Sequence, residues 1–156
     1  PDWDNQKALT IFEQMLQKAN NKIDGVLAAN DGLGNSAISA IKARKLKQLP
    51  VTGQDATPQG IQNILSGDQC MTVYKAIKKE ADAAAALAVG LAKGEQGSAP
   101  DTVKDPESGK DVPSVLLAPQ AITIDNINDV VADGYVTKDE LCSGSFAAKC
   151  TEAGVE

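Results

Sequence analysis

The chain has 156 residues, enough for one domain with a sizeable core, and a formal net charge of −6. That balance argues against a nucleic-acid partner, whose phosphates are held by clustered Lys and Arg, and no apolar run approaches the roughly 20 residues a membrane-spanning helix needs. Histidine is absent, so a Ser-His-Asp triad, a His-ligated zinc or a histidine general base has no residue to draw on within this chain.

Pro1-Asp2-Trp3-Asp4 contains no initiator Met and no basic-then-apolar signal, and the sequence reads as starting in mid-structure. Over residues 5–20, Ala8, Leu9, Phe12, Met15, Leu16 and Ala19 recur at helical spacing, with Asp4 as a candidate N-cap. "IDGVLAAN" then predicts a short buried strand over 23–29, stopped by Asn30-Asp31-Gly32. A second helix is expected at about 35–45. It turns Ala37, Ile38 and Ile41 inward, while Lys42, Arg44, Lys45 and Lys47 read as a solvated basic face.

"LPVTG" supplies the next strand, and Thr57-Pro58 a helix start, a hydroxyl cap followed by proline where its missing N–H does no harm. Ile61, Ile64 and Leu65 form that helix's buried stripe, and Gly67 its stop. "QCMTVYK" is a third strand, with Cys70 expected as a buried free thiol. A long Ala-rich helix over 76–93 closes at Gly94. Its stripe of Ala81, Ala84, Ala85, Ala88 and Leu91 calls for burial. Residues 94–111, rich in Gly, Pro and charge, read as a surface loop, 112–124 as extended chain and 127–131 as a short helical turn. Cys142 and Cys150, around the Gly/Ser-containing "CSGSFAAKC", suit a small disulfide of an oxidising compartment, the alternative being two free thiols.

Helices alternating with strands indicate a parallel α/β sheet, whose ligands sit at the carboxyl ends of its strands. Asn30-Asp31 ends the first strand, Gln54-Asp55 the second and Lys75 the third, so an amide, carboxylates and an ammonium meet one rim. Singly, each has a plainer role. Asn30 and Asp31 suit a turn or a helix cap, Asp55 and Lys75 an ordinary ion pair, and Trp3 a core position. Together they match a neutral polyol, with planar polar groups for hydroxyls and an indole for the apolar face of a sugar ring. No glycine-rich phosphate cradle is present, so neither a nucleotide nor any other cofactor is indicated.

"IDGVLAANDGLGNSAISAIKARK", "VTGQDATPQGIQNILSGDQCMTVYK" and "DVPSVLLAPQAITIDNI" resemble the C-terminal half of periplasmic-type monosaccharide-binding proteins of ABC importers, most closely those for D-xylose. The resemblance implies a three-layer parallel-sheet lobe of a type I periplasmic binding protein, with the N-terminal lobe absent from these residues. Residues 1–75 would form the sugar-binding lobe, 76–118 would pack on the absent lobe, and 119–156 would return to the first. By position it places the stacking indole on Trp3 and the polar sugar contacts on Asn30, Asp55 and Lys75. It also implies an extracytoplasmic receptor, periplasmic or lipid-anchored at the outer face of the membrane. That receptor hands a monosaccharide to an ABC permease without chemistry and has no nucleic-acid partner. The alternatives are the sugar-sensing domain of a two-component or LacI-type regulator and, less suited to a chain without histidine, an α/β enzyme acting on sugars. The cysteine-bearing tail lies outside the resemblance.

Overall fold

Asp4 starts the first helix, its Oδ1 accepting from the backbone N–H groups of Gln6 and Lys7 at 2.8 and 2.9 Å. Helix α1 then runs over Asn5–Lys18 in the computed structural model, which describes residues 1–95 and 99–156. Asn30 caps α2 (Asp31–Ala43), its Oδ1 accepting from Leu33 N–H at 2.9 Å. The helix therefore begins four residues before the apolar periodicity does. Its first turn, Asp31-Gly32-Leu33-Gly34, is too polar and glycine-rich to show the stripe, and the cap alone marks the start. Thr57 caps α3 (Pro58–Leu65) as expected, and Gly67 follows its end at φ +72°.

The first two predicted strands are extended segments joined by a single parallel bridge, Val26 to Val51. Val26 N–H donates to Pro50 O and Thr52 N–H to Val26 O, but Ala28 N–H then donates to the Thr52 hydroxyl instead of a carbonyl. A side chain competing for backbone groups in this way interrupts a regular ladder. On the other side, Cys70 N–H reaches Val51 O and Val73 N–H reaches Gly53 O, so 51–53 lies between 26–28 and 70–73. The third strand, β1 (Thr72–Tyr74), has an antiparallel neighbour supplied by the returning chain.

The expected loop over 94–111 is corrected in part. Beyond residues 96–98, which lie outside the described residues, Asp101–Lys104 (β2) pairs with Asp111–Ser114 (β3) as a hairpin, Val103 opposite Val112. Its turn is built locally. Asp105 accepts from Glu107 N–H and Ser108 N–H, both at 3.2 Å, and Gly109 takes φ +68°. The expected extended stretch 112–124 is likewise divided, ending in β4 (Gln120–Ile122), the antiparallel partner of β1. The short helical turn expected over 127–131 is α5 (Asn128–Ala132), and the cysteine-bearing tail beyond it is helical too, with α6 (Lys138–Leu141, with a Thr137/Glu140 capping box) and α7 (Ala147–Glu152). A Cys142–Cys150 disulfide joins the C-cap of α6 to the middle of α7.

By contacts the chain divides into two compact units, Pro1–Tyr74 with Gln120–Glu156, and Lys75–Pro119. In the first, α1 packs on α2, α2 on α3 and α3 on α6. Its fully buried apolar side chains include Leu16, Val51, Ile61, Ile122, Ile127, Val130 and Leu141. In the second, α4 (Ile77–Ala92) has no buried residue. Cys70 departs from expectation, since it is exposed. Its neighbours Gln69 and Thr72 take the inward positions, and the Cys70 thiol donates to Val51 O at 3.1 Å.

Candidate functional site

The centre of the rim is Asp31, the first residue of α2 and only 1% exposed. One carboxylate oxygen accepts from Thr57 N–H at 2.8 Å and from the Thr57 hydroxyl at 3.0 Å. The other accepts from the Thr72 hydroxyl at 2.7 Å and from Gln69 Nε2 at 2.8 Å. Four donors from two other segments thus satisfy a carboxylate that would be costly to bury unpaired. Space for it comes from two glycines. A Cβ at Gly53 would run into Asp31 Oδ1 and Gln69 Nε2, and one at Gly60 into Asp31 Oδ2. The glycines that bracket "GQDATPQG" are therefore the walls of the Asp31 pocket.

Asp55 sits in the turn that this network ties down, with its backbone at φ +97° and that of Ala56 at φ +49°. Non-glycine residues at positive φ are strained by about 1–3 kcal/mol and persist where their surroundings over-determine them. Here Asp31 N–H donates to Gln54 O, Asp55 N–H to Val73 O and Ala56 N–H to the Thr72 hydroxyl. The Tyr135 hydroxyl donates to Asp55 O at 2.8 Å. Every one of these partners is distant in sequence.

The predicted residues take the following positions. Asn30 is half-buried, its side-chain oxygen engaged as the α2 cap beside the Asp31–Gln54 link. Asp55 is half-buried in the strained turn. Trp3 is 67% exposed and at φ +63°, so it is not a core residue. Two residues later, Asn5 O accepts from the Ser36 hydroxyl at 2.8 Å, and the Asn5 side chain lies against Gly32. These contacts set the start of α1, and Trp3 with it, beside the first turn of α2. The structure thus brings the segments of Trp3, Asn30 and Asp55 together. Lys75 directly follows β1 and opens the second unit.

Sequence reading missed the role of Asp31, taken as a turn former or cap, and missed Tyr135. The paired glycines carried a signal for the first. Tyr135 lies in a segment without periodicity and carried none. Its ring packs on Tyr74, centroids 4.9 Å apart at 50°, and the Tyr74 hydroxyl donates to Asp133. Burial, and then that hydrogen bond to a carboxylate, push the Tyr74 phenol up to about 12. Among the described residues no cluster of His, Cys, Asp and Glu is arranged to hold a metal ion, and no helix is long and apolar enough to cross a membrane.

A family model described as periplasmic binding protein domain matches residues 1–96. The D-xylose-binding periplasmic protein of Escherichia coli K12 is 43% identical over 141 residues, and that of Haemophilus influenzae 41% identical over 141 residues. Each alignment covers 89% of this chain and 42% of the relative, so the chain spans less than half the length of the relatives it matches. A carbohydrate transporter solute binding protein from Chloroflexus aurantiacus, solved in complex with D-glucose, superposes with a TM-score of 0.79 at 31% identity. It covers 88% of this chain and 42% of its own. With the family model matched over more than half of its residues, and with the fold of these solute-binding proteins over part of their length, the chain belongs to the periplasmic binding protein domain family.

Proposed function

We propose that this chain forms the C-terminal sugar-binding part of a receptor that captures a monosaccharide, D-xylose foremost, for an ABC importer. The observation that carries the reading is the strained Asp55 turn held beside the Asn30 corner, in a chain 43% identical to a D-xylose-binding periplasmic protein. In this reading Asp55 accepts from sugar hydroxyls, Asn30 and Lys75 donate, and the exposed Trp3 indole stacks on the ring. Charged hydrogen bonds of this kind contribute about 1.5–3 kcal/mol each and penalise ligands lacking the hydroxyl.

The function is capture without chemistry. A complementary N-terminal lobe closes over the sugar, and the closed form is favoured by the ligand's differential affinity. The exposed stripe of α4 supports the assignment of residues 76–118 to that other lobe. An ABC permease is the downstream partner, and the Cys142–Cys150 disulfide suits an extracytoplasmic location.

Calorimetric titration of the full-length polypeptide with D-xylose, D-ribose and D-glucose tests the assignment. D-Xylose is expected to bind best, and Asp55→Ala to lower its affinity about ten- to a hundredfold with cooperative unfolding retained. Unchanged affinity in that variant would remove Asp55 from the site, and no binding of any of the three sugars would remove the function.

A further inference from the structure

We propose that Asp31 is a positioning residue of the sugar site, setting the orientation of Asp55 without touching ligand itself. The proposal rests on the reading above for what the rim binds. Asp31 is buried, and all four of its side-chain hydrogen bonds go to protein donors, so it has no access to ligand. What it holds is the turn. Thr57, just after the strained pair Asp55-Ala56, is bound through both its N–H and its hydroxyl. Thr72 relays the same carboxylate to Ala56 N–H, donating its hydroxyl proton to Asp31 and accepting from the amide. The Asp31 amide fixes Gln54 O from the other side.

The residues on both sides of Asp55 are therefore tied to one residue, Gln54 through the Asp31 amide and Ala56 and Thr57 through the Asp31 carboxylate, and a left-handed Asp55 is maintained from outside its own turn. A residue in that conformation costs free energy that the local chain does not recover. Loss of the tie releases Asp55 toward ordinary backbone angles, and its carboxylate then leaves the direction a bound hydroxyl needs. A displacement of this size at a site-forming group is enough to weaken recognition severalfold. Gly53 and Gly60, with no room for a Cβ beside Asp31, belong to the same device.

The test is a double-mutant cycle on D-xylose affinity in the full-length polypeptide, with Asp31→Asn and Asp55→Ala, at a temperature where circular dichroism shows every variant folded. Asp31→Asn is expected to lose tenfold or more in affinity in the wild-type background and less than threefold once Asp55 is already Ala. Equal losses in both backgrounds would mark Asp31 as merely structural, and affinity within twofold of wild type would remove it from the site; either result overturns the proposal. If Asp31→Asn does not fold, the isosteric Thr72→Val breaks the same relay and takes its place in the cycle. If the wild type binds none of the three sugars, the function reading fails and amide chemical shifts decide the positioning claim. Shifts at Gln54, Asp55 and Ala56 that differ between wild type and the variant support the tie, and unchanged shifts overturn it.

Discussion

Two carboxylates, one in each unit of the chain, find their partners in opposite ways. In the first, Asp31 gathers donors from residues 57, 69 and 72, all at least 26 positions away, into a buried network. In the second, Asp105 closes its own turn on Glu107 and Ser108, and Lys78 pairs with Asp82 one helical turn on. Hydrogen bonds from Ser108 and from the amides of Glu107 and Ser108 hold the Asp105 carboxyl below its ordinary range, yet the group is fully exposed. The Asp31 network depends on tertiary structure for its order, whereas the Asp105 turn and the Lys78–Asp82 pair are local. A site made from the ends of several strands belongs to the first kind.

The largest expected effect separates the two directly. Asp31→Ala takes the acceptor from four side-chain and backbone donors in the interior and is expected to cost about 3–5 kcal/mol. Asp105→Ala is expected to leave the urea midpoint of the whole chain where it is, because water replaces every lost partner. Equal midpoints for the two variants would erase the contrast.

Next in size is the Cys142–Cys150 bridge. It closes a loop of sequence separation 8 in the first unit, and its reduction is expected to lower stability by about 2–3 kcal/mol. Urea unfolding with and without reductant measures it. A single thiol, exposed Cys70, is expected to react in the unreduced native protein.

A smaller effect, of opposite sign, is expected at Asp55. Asp55→Gly relieves the positive-φ strain but adds freedom to the unfolded chain, for a net gain of about 1 kcal/mol in stability. Sugar affinity should fall at least tenfold in the same variant. A more stable protein that binds worse would show that the strain serves the ligand, while a variant both less stable and unchanged in binding would make Asp55 structural.

The smallest effect lies at alkaline pH. The Tyr74 phenol is raised from 10.0 to about 12 on folding, so its contribution is fully present below pH 10 and is lost as pH rises through about 12. Stability followed across that window should fall in the wild type and fall less in Tyr74→Phe. Identical profiles would detach the Tyr74–Asp133 contact from the stability of the first unit.

Much of the architecture was legible in the residues, because local chemistry alone decides it. Asp4, Asn30 and Thr57 satisfy the first amides of their helices from a position next to them, Pro58 pre-sets its own φ, and the apolar spacing of Ala37, Ile38 and Ile41 selects the buried face of α2. That the Asn30-Asp31 and Gln54-Asp55 ends meet was legible for the same reason, since strand ends in an alternating α/β chain fall on one side. The hairpin at 101–114 was missed although its signals are local: Thr102, Val103 and Val112 flank a turn with Gly109, and charge around them masked the alternation.

Other features were decided only by the tertiary structure. Asp31 reads as a turn residue until Gly53, Gly60, Gln69 and Thr72 surround it, and whether a carboxylate is a cap or a buried hub depends on neighbours no local window contains. The left-handed backbone of Asp55 has no local cause either, for aspartate there is strained and the bonds that hold it come from residues 72, 73 and 135. Local propensity is summed along the chain, but polar satisfaction in an interior is settled across it.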